Sequence, residues 1–179
     1  MKPWKDLTTV PMPSGIKTLP RDERGYPIPY GVQWNNGVPD FRVIDPDKWM
    51  EAVQNRRCGL CGGKMGKSVA FVGGKLSIKN RLFTDSPMHA ECAIYALQVC
   101  PFLAMRKFGY VTHHNEDEVH VNQLVSNNRP EVFGMGIAEK YKIVPISPTD
   151  IAIKAGIFKS LTLWRHGEQV RSWNIAAPQ

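Results

Sequence analysis

Four residues in this chain have the types and spacing of a metal shell: Cys58-x-x-Cys61 and His89-x-x-Cys92. A CxxC followed by glycine, here Gly62-Gly63, forms a tight knuckle that turns both sulfurs toward one point. Ser86-Pro87 reads as a helix start, with Ser86 as cap and Pro87 at the first helical position. Cys100-Pro101 stops that helix. His89 and Cys92 are three apart on it and so project from the same face. The positive end of the helix dipole lies beside them and favours thiolate over thiol. Three thiolates and one imidazole complete a tetrahedral shell around one Zn2+. A catalytic zinc normally keeps one position open for water, so a shell closed by four protein groups is a structural one.

Other chemistries fit these residues less well. In a thioredoxin-like redox pair the CxxC opens a helix after a buried strand, whereas Cys58 follows a predicted helix and Gly62-Gly63 prevents another. Cys100 lies eight residues beyond Cys92, about 12 Å along a helix axis. Sulfurs on one zinc are about 4 Å apart, so Cys100 reads as a small buried hydrophobe at the helix end. Nucleases of the HNH class use a similar knuckle-and-helix scaffold but need a general-base histidine between the ligand pairs. Residues 64–83 contain no His, Asp or Glu. A second group of donors, His113-His114-Asn115-Glu116-Asp117-Glu118-Val119-His120, could hold another metal or serve a hydrolase, but reads first as a solvated acidic loop. No phosphate-binding glycine loop and no GxSxG elbow occurs, and no catalytic residue is assigned.

Charge is concentrated around the same motif. The chain of 179 residues carries a formal net charge of +7. Residues 52–84 hold Arg56, Arg57, Lys64, Lys67, Lys75, Lys79 and Arg81 and not one acid, whereas 82–136 is acidic. A localised basic block points to an anionic partner more strongly than an even excess does. These seven residues are therefore the candidate nucleic-acid contacts, through phosphate rather than base stacking, since few aromatics are interleaved. The plainer reading is that the lysines only solubilise an exposed face.

The elements that must position these groups follow from punctuation and periodicity. Eight of fourteen prolines fall in the first 46 residues. Residues 1–30 read as an extended arm that orders only by lying on something else, the alternative being plain disorder at least over 1–17. Val32–Trp34 and Phe41–Val43 flank Asn36-Gly37, a hairpin turn, and Asp45-Pro46 starts a helix running to about Arg56. Ser68–Val72 and Leu76–Ile78 read as a second hairpin around Gly73-Gly74, with Lys75 and Lys79 on its outer side and Leu76 and Ile78 inward. Strands are expected at Lys142–Ile146, Leu161–Trp164 and Val170–Trp173, the last two joined at His166-Gly167. The expected fold is α+β: a zinc-stabilised treble clef (knuckle, hairpin, helix) with flanking short hairpins. Its divisions are a Pro-rich arm at 1–30, a zinc-binding core at 31–112, an acidic His loop at 113–131 and a β-rich extension at 132–179.

Several stretches together resemble a family of small uncharacterised bacterial and bacteriophage CxxC…HxxC proteins. They are Leu19–Pro29, Gly37–Val43, Arg57-Cys58-Gly59-Leu60-Cys61-Gly62, Pro87-Met88-His89-Ala90-Glu91-Cys92-Ala93 and Val99-Cys100-Pro101-Phe102-Leu103. The resemblance covers about residues 18–105, agrees with the zinc assignment and implies a prokaryotic setting, but no activity. Hydrophobic residues make up 42% of the chain, yet no apolar run reaches the roughly 18–20 needed to span a bilayer, and Met1–Asp6 lacks a secretory pattern. The expectation is a cytoplasmic, non-enzymatic zinc protein that binds nucleic acid. A protein-interaction module, such as a phage product engaging a host factor, is the alternative.

Overall fold

A computed structural model describes residues 5–106 and 129–175 of the chain. The architecture is mixed, with mostly strands and few helices. The elements in order are α1 (Ser14–Lys17), β1 (Val32–Asn35), β2 (Val38–Ile44), α2 (Pro46–Gln54), β3 (Val69–Gly73), α3 (Lys75–Asn80), β4 (Leu82–Phe83), α4 (Ala90–Val99), α5 (Pro101–Ala104), β5 (Val132–Ala138), β6 (Tyr141–Pro145), β7 (Ile151–Ala155), β8 (Ser160–Arg165) and β9 (Glu168–Asn174). No helix among the described residues is long and apolar enough to cross a membrane.

Among the described residues three antiparallel sheets result: β1-β2, β3-β5-β8-β9 and β4-β7-β6. The core runs through β3, whose Val69, Ala70, Phe71 and Val72 are all buried. Phe71 stacks against Phe83 of β4 with ring centroids 5.1 Å apart and meets Tyr141 of β6 edge-on at 5.9 Å. Strands from the C-terminal third thus pair directly with strands that follow the knuckle. The acidic His cluster, His113–His120, lies outside the described residues.

Two expected turns are present where the dipeptides place them. Asn36 (φ 50) and Gly37 (φ 81) join β1 to β2, and His166 (φ 52) and Gly167 (φ 82) join β8 to β9. Both pairs have the positive φ angles of a two-residue hairpin turn. Asp45 caps α2, its carboxylate accepting from the backbone N–H groups of Asp47 and Lys48.

The expected hairpin at 68–78 is not formed. Ser68–Val72 supplies β3, but Gly73-Gly74 leads into α3, with Gly74 at its N-cap and Arg81 (φ 51) closing its C-terminus. Lys75 and Lys79 still share a face, because i and i+4 are neighbours on a helix. Leu76 points out, 66% exposed, instead of inward. The cause is the partner of β3, which is β5, some 60 residues further on. Gly134 of β5 lacks a side chain where Ile78 of α3 packs; a Cβ there would lie 2.4 Å from Ile78 Cγ1. Strand β3 is therefore covered by a helix and paired with a distant strand.

The arm has more structure than an extended strap. It contains a 3-10 turn at Leu7–Thr9 and the single turn α1, and its Leu7, Val10, Ile16, Tyr26 and Ile28 are buried. Its order comes from contact with the body, in particular with the knuckle.

Candidate metal centre

The knuckle is built by backbone closure. The N–H of Cys58 donates to the carbonyl of Gly63 (2.8 Å), and the N–H of Gly62 donates to that of Cys58 (2.8 Å). An isolated bridge pairs Arg57 with Lys64 at the base. Gly62 takes φ +71, the left-handed region in which a side chain is strained. A Cβ at Gly63 would lie 3.3 Å from Cys61 Sγ and 3.4 Å from His89 Cε1, so glycine leaves the centre its room.

The second ligand pair is placed by β3. Helix α4 starts at Ala90, not at Pro87, and His89 is its N-cap in extended conformation (φ −60, ψ 146). Ser86–Met88 instead run alongside β3, where Ala70 and Met88 exchange two backbone hydrogen bonds of 2.8 and 3.0 Å. This bridge overrides the Ser-Pro start signal and fixes the chain one residue before His89. Cys92 follows in the first turn of α4 and is buried.

Cys58, Cys61, His89 and Cys92 converge, with their ligand atoms all within 4.8 Å of one another. The Nδ1 of His89 lies 3.3 Å from Cys61 Sγ and 3.8 Å from Cys92 Sγ. Its Nε2 faces the other way, 3.1 Å from the carbonyl oxygen of Lys64. A carbonyl only accepts, so Nε2 carries the proton and Nδ1 presents its lone pair to the sulfurs. The backbone N–H of His89 also donates to Cys58 Sγ at 3.4 Å. Such outer hydrogen bonds orient ligands and set their charge.

The electrostatics of the sulfurs call for a cation. Cys61 is held far below the usual thiol range, first by a hydrogen bond from the Cys58 thiol and then by one from Cys92. Cys58 is pushed up because it donates to Cys61, and Cys92 is pushed up because it donates to Cys58 and Cys61. One negative charge is thus tolerated and further ones are opposed. A divalent cation removes that opposition and accepts all three thiolates. Three sulfurs and one imidazole nitrogen at this separation fit a metal ion. Cys100 is not part of the group; it occupies the N-cap position of α5 without a side-chain capping bond and forms no disulfide.

Residues not anticipated as site builders enclose the knuckle. Gly15 of α1 lies against Cys61, where a Cβ would approach Sγ to 3.0 Å. The Tyr30 ring covers Gly62, with a notional Cβ there 2.8 Å from Tyr30 Cδ2. Tyr30 and Gly31 donate backbone hydrogen bonds to Leu60 and Gly59 carbonyls. Arg57 donates to the Gly62 carbonyl (3.0 Å) and pairs with Glu51 (3.2 Å), which in turn accepts from the Tyr30 hydroxyl (2.6 Å). Proline content marked this arm as dependent on a support, but no local pattern says which surface provides it.

The seven basic residues divide by role. Arg56 is spent internally: it donates to the Gly66 and Lys67 carbonyls (2.8 and 2.9 Å) and sits over the Tyr141 ring at 5.3 Å. Arg57 is the knuckle clamp just described. Lys67 pairs with Glu139 at 3.3 Å but remains 80% exposed. Lys64, Lys75 and Lys79 are exposed, and Arg81 is half-buried at the end of α3. Comparison with family models, curated proteins and solved structures finds no match to this chain.

Proposed function

We propose that the protein is a non-enzymatic structural-zinc protein of treble-clef type that binds nucleic acid through the basic surface beside its zinc site. The observation that carries the metal part is the closed donor set: three sulfurs and His89 Nδ1 leave no position for a reacting water. Among metals, a tetrahedral sulfur-rich shell favours zinc. In the treble-clef reading the knuckle and α4 keep their places, while β3, α3 and β4 stand where a hairpin is usual.

The nucleic-acid reading rests on the acid-free stretch 52–84 around that centre. Phosphate contacts fall to the exposed Lys64, Lys67, Lys75 and Lys79, with Arg81 at their margin; Arg56 and Arg57 contribute by holding the platform. Retention of the zinc-loaded chain on immobilised DNA or RNA, with affinity falling steeply as salt rises, tests it. Salt-independent binding, or none, contradicts it.

One observation favours the protein-interaction reading as second. The hairpin β1-β2 exposes Trp34, Val38, Phe41, Val43 and Ile44, each at least 40% accessible, and such a concentration of apolar surface is uncommon unless a partner covers it. Both readings place the protein in the cytoplasm of a prokaryotic or phage-infected cell.

A further inference from the structure

An open sheet ends in two strands whose outer backbone groups lack a neighbour, and folded chains guard such edges. Among the described residues, three of the four edges of the two larger sheets are guarded. β3 exchanges two hydrogen bonds with Met88 at Ala70, β4 is only two residues long, and β6 carries the exposed Lys142 and ends in Pro145. The fourth edge, β9, has no neighbour beyond it among the described residues, and all seven of its residues are exposed. We propose that β9 pairs with β9 of a second copy of this chain, antiparallel and about a twofold axis at Trp173, joining two four-stranded sheets into one continuous sheet.

The backbone fixes which groups are free. The N–H of Ile175 donates to the Lys159 carbonyl (2.7 Å), and Arg171 and Trp173 pair with Leu163 and Leu161 of β8. Backbone groups alternate sides along a strand, so Arg171, Trp173 and Ile175 bond back to β8. The N–H and C=O groups of Ser172 and Asn174 therefore face outward. The bulge in this strand, at Val170, lies outside that stretch. With the axis at Trp173, Ser172 of each copy meets Asn174 of the other, and each pair exchanges two backbone hydrogen bonds.

The side chains fit the same register. Trp173 faces Trp173 of the second copy at a non-hydrogen-bonded position, where side chains approach most closely and an aromatic pair is stabilising. Arg171 lies opposite Ile175, which keeps the two guanidinium groups apart. Centring on Arg171 would oppose like charges, and centring on Ser172 would set Asn174 against the bulged Val170. Trp173 (42% exposed), Ile175 (41%) and the half-buried Leu161 and Leu163 share one face, so pairing also covers apolar surface that a single chain leaves in water. A strand of another protein would have to reproduce these matches, whereas a second copy supplies them by symmetry.

The seam is short and belongs with weak interfaces, so sedimentation equilibrium of the full zinc-loaded chain is carried to about 1 mM. A reversible dimer of twice the chain mass is expected. Ser172→Pro removes an outward N–H and no bond to β8, and should weaken the dimer at least about tenfold with zinc content and circular dichroism unchanged. Trp173→Cys reports the register without a proline. Mild oxidation should crosslink two copies through position 173, whose Cα atoms lie about 4.5 Å apart across the axis. Gln169→Cys, more than about 20 Å from its counterpart, should not crosslink. Should Ser172→Pro fail to fold, the two cysteine variants decide. A dimer of equal strength in Ser172→Pro, no crosslink at 173, or equal crosslinking at 169 overturns the proposal. A single chain at every concentration also overturns it and leaves this edge to an extended segment of another protein. No metal ligand and no lysine of the basic surface belongs to the seam, so the outcome is independent of the readings above.

Discussion

His89 and Lys64 are joined across the metal centre: the ring Nε2 lies 3.1 Å from the Lys64 carbonyl oxygen. That one contact ties the C-terminal lip of the knuckle to the N-cap of α4. It also decides which ring nitrogen is left for a metal, and so connects the fold of residues 58–64 to the chemistry of residues 89–92.

Loss of a ligand should therefore unfold the centre rather than merely empty it. His89→Ala or Cys92→Ser is expected to abolish stoichiometric zinc and to lower stability by several kcal/mol, because the binding energy of a structural zinc is folding energy. Metal analysis together with thermal denaturation, with and without a chelator, checks this. A variant that keeps its melting temperature contradicts it.

Zinc affinity should fall as pH falls. Hydrogen bonds among the three sulfurs favour the thiolate at Cys61 and hold the protons on Cys58 and Cys92, which a metal must displace. Affinity measured by competition with a chelator should change by up to ~2 decades per pH unit, one for each proton released. A flat profile between pH 6 and 8 would be inconsistent with three thiolate ligands.

Gly15 should be sensitive although it is far from the ligands in sequence. Gly15→Ala puts a methyl 3.0 Å from Cys61 Sγ and 3.1 Å from its Cβ. The expected cost is about 1–3 kcal/mol, read by denaturant melts. Gly66→Ala, with nothing within 4 Å of the added atom, serves as the control and should stay within about 0.5 kcal/mol.

The helical form of α3 has its own test. Gly134→Ala drives a methyl to 2.4 Å from Ile78 Cγ1 and should cost about 1–3 kcal/mol. Trimming the opposing side chain with Ile78→Val or Ile78→Ala should return part of that loss, a coupling measurable in a double-mutant cycle. If residues 75–80 were a strand paired to β3, the two substitutions would not be coupled in this way.

What could be read from the sequence was local. Ligand pairs at i, i+3, the Asp45 cap and the two positive-φ turns each depend on residues a few positions apart, and each is found in place. The segment after Gly73 is ambiguous in sequence because six residues are too few to separate helical from alternating periodicity, and because Gly-Gly suits a hairpin turn as well as a helix cap. Strands β5 and β7 have no clear pattern of their own. Gly134 and Gly136 interrupt β5 where Ile78 and Phe158 fill the space, so its signal lies in other parts of the chain. Arg56 and Arg57 contributed to the charge count, but their hydrogen bonds to knuckle and loop carbonyls are visible only in three dimensions.

The most direct test of the central claim is titration of the chelator-treated chain with Co2+, followed by visible spectroscopy. The account predicts one equivalent per chain, with intense d–d bands of a tetrahedral ion and sulfur-to-cobalt charge transfer that diminishes when any one of Cys58, Cys61 or Cys92 is changed to serine. Weak octahedral bands, or a fully folded chain that takes up no metal, would contradict it.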